Sequence, residues 1–304
     1  MRVIVVGLGV QGNKRREHAG EDYVASVDPN NSEADFNDIR DVNLDTYDVV
    51  LACVPDKPKI ELLRYCVDHG KHMLVEKPLW VEKDGQIIGL EKLAQTNQVV
   101  CYTAYNHRFE PHFVKMKELI SSGTLGEIYS CRMFYGNGTA KLVRDSIWRD
   151  QGAGVLPDLG SHLLDTCRYW FGDDISNFQL TSAHCFENES PDHVVINTIS
   201  GQPRIELEMT LCMWRNHFTC DILAENGTAH IESLCKWGPS TFTHRKRIIP
   251  SGRPPETQVT LTQSDPTWAE EYKHFKNLIE SGASTDLSID IWLQTQLRML
   301  AEEI

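Results

Sequence analysis

From Met1 to about Tyr105, short unbroken apolar runs alternate with segments of helical periodicity. Residues 3–6, 23–27, 49–54, 72–75 and 99–103 read as strands, and 11–19, 58–69 and 83–96 read as helices. Runs in which neighbouring residues are all apolar suit a parallel sheet covered on both faces, because successive side chains point to opposite sides. Strand–helix–strand repetition predicts right-handed βαβ units and a doubly wound α/β domain. The stretch 29–48 is polar and acidic and predicts a loop with at most one short helix.

After Pro111 the rhythm changes. A helix over 111–121, a strand over 127–135 and a second helix over about 157–171 precede a series of strand-like runs: 178–186, 193–200, 204–211, 217–224, 229–234, 242–249 and 258–261. Strands that follow one another without helices between them predict an open, largely antiparallel sheet, so this part is α+β in character. Asn226-Gly227 is a hairpin signal of the type I′ kind. Two helices close the chain, at about 267–281 and 286–303. The expected domains are residues 1–105 and 106–304, with the C-terminal helix able to pack back on the first.

Composition narrows the classes of function. The chain has 304 residues, 43 acidic and 30 basic, for a formal charge of −13. That balance disfavours nucleic acid and anionic membrane surfaces as partners, since both demand a basic field. It leaves room for a small anion held by a local cluster of arginines. Nine cysteines without a CxxC pair give no disulfide framework and no metal site. No signal-peptide layout and no membrane-length apolar stretch are present in the sequence, so a reduced, cytoplasmic protein is expected.

Three clusters carry candidate chemistry. Gly7-Leu8-Gly9-Val10-Gln11-Gly12 follows the first strand and opens a helix. In that context the first glycine allows the tight turn, the second lets backbone approach a pyrophosphate, and the third lets helix and strand pack closely. Asp28, ending the next strand, suits an adenosine ribose and repels a 2′-phosphate, which predicts NAD as cofactor rather than NADP. Lys14-Arg15-Arg16 beside it reads as a solvated helix face. The second cluster, Glu76-Lys77-Pro78, ends a strand where doubly wound sheets bind ligands, and Lys77 is a candidate acid–base group. The third is Asp158-Leu159-Gly160-Ser161-His162, followed by Asp165, behind a glycine-rich lead. Asp158 and His162 share one helix face, as an acid–base pair requires. His244-Arg245-Lys246-Arg247 reads as a charged sheet edge that blocks further pairing.

Together with Ala52-Cys53-Val54-Pro55 and Tyr105-Asn106-His107-Arg108-Phe109, these clusters resemble the Gfo/Idh/MocA family of NAD(P)-dependent oxidoreductases over nearly the whole chain. The resemblance implies a Rossmann domain followed by an α/β domain whose open sheet builds a homodimer or homotetramer. It implies Lys77, His162 and Asp158 as catalytic residues. It also places the cofactor on Gly7, Gly9, Val10, Gln11, Gly12, Asp28, Cys53, Pro55, Glu76 and Lys77. Tyr105, Asn106, Arg108, Arg144, Trp148, Arg149 and Asp165 are expected to meet the substrate. Family members often read Thr-Pro-Asn where this chain has Val54-Pro55-Asp56.

The implied reaction is oxidation of a sugar hydroxyl, with His162 and Lys77 handling the proton while hydride passes to the nicotinamide. Lys141, Arg144, Arg149 and Arg108 suggest an anionic substrate group. Within the family, the segment 134–140 looks most like the dehydrogenases that oxidise the 3-hydroxyl of UDP-N-acetylglucosamine for amino-sugar lipid A. The alternatives are a free-sugar or inositol dehydrogenase, an NAD-dependent glycosidase and a non-catalytic NAD-sensing regulator.

Overall fold

A computed structural model describes residues 1–304 except 84, 147 and 148. The chain divides into two compact units: residues 1–106 with 267–294, and residues 107–266 with 295–304. Relative to the expected boundary near Tyr105, the first unit also takes in a long segment from near the C-terminus.

In the first unit, strands β1 (Val3–Val6), β2 (Tyr23–Val27), β3 (Val49–Ala52), β4 (His72–Glu76) and β5 (Cys101–Ala104) form one parallel sheet. Their order is β2-β1-β3-β4-β5. The alternation behind the unbroken apolar runs is explicit in the packing. Ile4, Val6, Val50, Ala52, Met73 and Val75 bury on one face with Leu63, Cys66 and Val67 of α2 (Asp56–Asp68) and Ile87 and Leu90 of α3 (Gln86–Thr96). Val3, Val5, Val49, Leu51 and Leu74 bury on the other face, where α1 (Val10–Ala19) supplies only Ala19 to the apolar cluster. Tyr272 and Phe275 of α7 (Thr267–Glu280) complete that face. The requirement to cover both faces of a parallel sheet thus recruits a helix from the far end of the chain. The stretch after β2 contains two 3₁₀ turns, at Ile39–Asp41 and Leu44–Thr46, started by the Asp38 and Asn43 side chains.

In the second unit, eight strands form one mixed sheet: β6 (Ile128–Gly136), β7 (Phe178–His184), β8 (His193–Thr198), β9 (Arg204–Thr210), β10 (His217–Ala224), β11 (Gly227–Glu232), β12 (Ser240–Lys246) and β13 (Glu256–Leu261). Their order is β13-β12-β11-β10-β6-β9-β8-β7. Only the β6–β9 pair is parallel, so the expected largely antiparallel sheet is present. Helices α4 (Pro111–Ser121) and α6 (Ser161–Phe171) pack together through Phe113 and Trp170, whose indole N–H donates to the Phe113 carbonyl at 3.0 Å. Short helix α5 (Ala140–Arg144) follows β6, and α8 (Ser288–Glu303) ends the chain.

Two sequence expectations are corrected by register. The hairpin between β10 and β11 turns at Glu225-Asn226, and Gly227 is already paired with Ala224. Gly227 is needed there because a Cβ would lie 2.1 Å from the Arg245 carbonyl oxygen. The basic run 244–247 is not on an edge strand, since β13 pairs outside β12 and Arg245 meets Glu256 across the ladder at 2.6 Å. A directly opposed ion pair supports this pairing, whereas the expected run of like charge would block it.

Candidate active site

The glycine turn of the first unit is built by close approach. Gly7 has φ +92°, and a Cβ there would stand 2.4 Å from the Cys53 carbonyl oxygen. At Gly12 a Cβ would stand 1.8 Å from the Gly7 carbonyl oxygen, while Gly9 has no heavy atom within 4 Å of a Cβ position. The turn is therefore locked against β1 and β3 on one side and open in front of Gly9. Val10 and Gln11 are exposed at the start of α1. No side chain caps that helix, so its first N–H groups remain directed at the opening, as a phosphate cradle requires. Asp28 braces the turn from the end of β2. One of its carboxylate oxygens accepts the Leu8 N–H and the other the Asn30 N–H, each at 2.8 Å. A carboxylate has about four acceptor directions, so capacity is left for ribose hydroxyls. These residues fit a dinucleotide.

The Glu76-Lys77-Pro78 turn at the end of β4 is held by two basic residues that sequence reasoning assigned differently or missed. Arg15 is not on a solvated face: it is 1% exposed. Its Nε donates to Glu76 and its Nη1 to Glu271 of α7, both at 2.6 Å, with the Trp268 ring 4.3 Å from the guanidinium carbon. Burial works against this charge, and Glu271 and Glu76 more than offset it. Lys59, missed from the sequence, is 2% exposed and spends its three N–H groups on Asp56 (2.7 Å), the Glu76 carbonyl (3.2 Å) and the Pro78 carbonyl (2.9 Å). The local signal for it was the i, i+3 pair Asp56–Lys59 in the first turn of α2. Asp56 thereby orients a clamp on the Lys77 turn. Pro55 precedes it as the N-terminal cap residue of α2. Burial pushes the Cys53 thiol up, so it remains protonated at neutral pH.

Replacing Lys59 by methionine keeps the stem and removes three donors, stranding two backbone carbonyls. The expected loss of stability is about 1.5–3 kcal/mol, read by urea unfolding. A fall in kcat larger than any fall in dinucleotide affinity is expected with it. Wild-type stability and kcat in that variant would count against the clamp.

In the second unit, the glycine-rich lead is pinned before it enters α6. Gly154 has φ +51° and sits where a Cβ would be 2.0 Å from the Pro191 carbonyl oxygen, which also accepts the Val155 N–H at 2.8 Å. One wide π-type turn, Leu156–Gly160, then carries Asp158 into the helix that carries His162. Such turns widen a helix locally and are frequent at functional sites. His162 is 8% exposed. Its ring stacks on His107 with centroids 4.0 Å apart and planes 18° from parallel, and Tyr135 stands 6.2 Å away. His107 and Tyr135 lie in segments that sequence reasoning singled out, but nothing local gave either a role beside His162, since they reach it from the 3₁₀ turn after β5 and from β6.

Of the residues expected to meet the substrate, Arg108 and Asp165 hold each other, and Arg144, Arg149 and Asn106 have other local partners. Arg108 grips Asp165 with both Nε and Nη2. Burial raises the Asp165 carboxyl, and Arg108 opposes that rise. Arg149 lies 3.4 Å from Asp158, Arg144 donates to the Glu187 carbonyl at 3.1 Å, and Lys141 pairs with Asp145 at 2.5 Å. In the first unit, Tyr105 is buried and the Asn106 amide donates to Thr267 at 2.8 Å. Trp148 lies outside the described residues.

Residues 113–230 match the GFO/IDH/MocA C-terminal domain. Individual proteins are similar over other stretches of the chain. An inositol 2-dehydrogenase of Rhizobium meliloti is 22% identical over 243 residues, covering 78% of this chain and 71% of its own. A scyllo-inositol 2-dehydrogenase (NADP(+)) of Bacillus subtilis is 29% identical over 129 residues, covering 41% of this chain and 35% of its own. The chain spans less than half the length of several curated relatives it matches, the Bacillus subtilis enzyme among them. A levoglucosan dehydrogenase solved with NADH has the same fold, with a TM-score of 0.85 at 18% identity, covering 99% of this chain and 96% of that one. Among the described residues, no helix is long and apolar enough to cross a membrane.

Proposed function

We propose that this protein is an NAD-dependent dehydrogenase of the Gfo/Idh/MocA type, oxidising a secondary hydroxyl of a free sugar or cyclic polyol. The observation that carries the reading is the crowded Gly7–Gly12 turn, open only in front of Gly9 and braced by Asp28. NAD, when bound, accepts the hydride. His162 takes the hydroxyl proton, Asp158 biases that imidazole towards its charged form once it has done so, and Lys77 is the second acid–base group. Arg15 and Lys59 fix the turn that carries Lys77. The Asp28 carboxylate supports NAD over NADP, since a 2′-phosphate there would meet like charge.

The substrate reading departs from the nucleotide sugar suggested by the segment 134–140. Arg108, Lys141, Arg144 and Arg149 already have local acceptors, which lessens the need for a diphosphate to satisfy them. The inositol dehydrogenases among the relatives also favour an uncharged polyol. UDP-N-acetylglucosamine is the second reading, carried by the number of basic side chains between 108 and 149. Assembly as a homodimer or homotetramer through the second sheet belongs to the same proposal and is read from the mass in solution by light scattering.

A panel of myo-inositol, scyllo-inositol, levoglucosan, glucose and UDP-N-acetylglucosamine, each with NAD and with NADP, separates these readings. NADH formed with a free polyol is the expected result. NADH formed only with the nucleotide sugar would replace the substrate reading. Glycoside cleavage without net NADH would indicate the glycosidase, and tight NAD binding without any turnover would indicate a regulator.

A further inference from the structure

We propose that Lys236 is a positioning residue of the His162 centre. Through His107 it fixes the protonation state of the stacked imidazole pair and so keeps His162 available as a base. This rests on the reading of His162 as the base.

Lys236 lies in a single 3₁₀ turn, Cys235–Trp237, between β11 and β12. Its Nζ is 3.3 Å from His107 Nε2 and 3.4 Å from the Tyr135 hydroxyl, and it stands 4.8 Å from the centre of the Trp237 ring. An ammonium has three donors and no acceptor. A hydrogen bond to His107 Nε2 therefore requires a lone pair on that nitrogen, which places the His107 proton on Nδ1 and leaves the ring neutral. His107 is 2% exposed and lies face to face with His162, so the two rings cannot both become imidazolium without like charges in contact across a dry interface. A fixed cation at the Nε2 edge of His107 adds to that opposition. The pair then takes up its first proton only at lower pH than it otherwise would, and His162 reaches neutrality as an acceptor.

The surroundings decide whether Lys236 can keep its charge. Burial holds its pKa below that of a free lysine, and Asp265, Glu110, Cys235 and Asp158 offset only part of that fall. Glu110 is itself pushed up by burial while its oxygens accept the Cys235 N–H at 3.0 Å and the Cys235 thiol at 2.9 Å. The Cys235 thiol is raised by burial and by Glu110. Arg149 lies on Asp158, and Arg108 is engaged by Asp165. Asp265 heads the causes that hold the ammonium charged, and the aromatic faces of Tyr135 and Trp237 add to them.

The test has two arms on the full chain. In the first, imidazole 13C and 15N shifts of labelled protein report the ring states directly. His107 in the wild type is expected to remain the neutral Nδ1–H form from about pH 6 to 9, and to titrate inside that window in Lys236→Met. A wild-type His107 carrying its proton on Nε2 would overturn the proposal. In the second arm, the acid limb of the kcat/KM profile is expected to move up by about one pH unit in Lys236→Met, a roughly tenfold rise in proton affinity. Lys236→Arg should restore it, and in a His107→Phe background the Lys236→Met shift should vanish. A drop in kcat/KM of equal size at every pH, with the limb unmoved, would overturn the proposal. If Lys236→Met does not fold, the wild-type tautomer and the Lys236→Arg profile still decide. Unimpaired turnover by His162→Ala would remove the base reading alone, because the spectroscopic arm does not depend on catalysis.

Discussion

Replacing His162 by alanine is expected to lower kcat by about 10²- to 10⁴-fold, the usual share of general acid–base catalysis, while the affinity for NAD stays near wild type. That range corresponds to about 2.7–5.5 kcal/mol of transition-state stabilisation. The separation of the two effects follows from the fold. The glycine turn, Asp28 and their bracing contacts all lie in the first unit, and His162 lies on α6 of the second. Calorimetry with NAD and steady-state kinetics on the accepted polyol measure the two quantities independently. Wild-type rates in this variant would remove His162 from the mechanism. Lost NAD affinity with an unchanged rate would instead make it a cofactor contact.

The largest effect on stability is expected at Arg15. Arg15→Met preserves most of the side-chain volume and removes a cation that is 1% exposed, beside Glu271 at 0% and Glu76 at 14%. Breaking such a buried pair on one side costs roughly 3–5 kcal/mol, because the stranded carboxylate stays in a medium that cannot solvate it. The loss should shrink as the pH falls, since protonating Glu271 relieves the uncompensated charge and the folded state then binds a proton that the unfolded state at the same pH does not. A double variant, Arg15→Met with Glu271→Leu, should recover much of the stability, as apolar replacement of a whole buried ion pair often does. Urea unfolding near neutrality and near pH 5 reads both effects. An Arg15→Met protein as stable as wild type would show that Trp268 packing, not charge, carries this corner of the first unit. Arg15→Lys should recover little, because an ammonium cannot present the fork that reaches Glu76 and Glu271 together.

The chemistry of His162 and Arg15 was legible in the sequence to different degrees. His162 stands out because Asp158 and Asp165 flank it at helical spacing, behind a glycine-rich lead. Arg15 stands in a run of three basic residues on an α1 that looks solvated, and Glu76 and Glu271, 61 and 256 positions away, explain its burial. Lys236 and His107 are 129 positions apart, and nothing in the sequence links them. Arg108 and Asp165, two residues expected as substrate contacts, also hold each other, a pairing the sequence does not announce. Charge in a sequence says what can pair, and distance in the fold says with what.

The sequence by itself determined the element types, the parallel first sheet, the largely antiparallel second sheet and the glycine turn. Each of these rests on local periodicity or on backbone conformations open only to particular residues. Only the tertiary structure decided that α7 covers the second face of the first sheet, that β13 rather than β12 forms the edge, and that Arg15 is buried. It also decided that Lys59 clamps the Lys77 turn and that His107 stacks on His162 under Lys236. These depend on contacts between segments far apart in the chain, where the free energy of covering an exposed face or satisfying a buried charge selects the partner. Local patterning records that such a partner is needed without saying which residue it is.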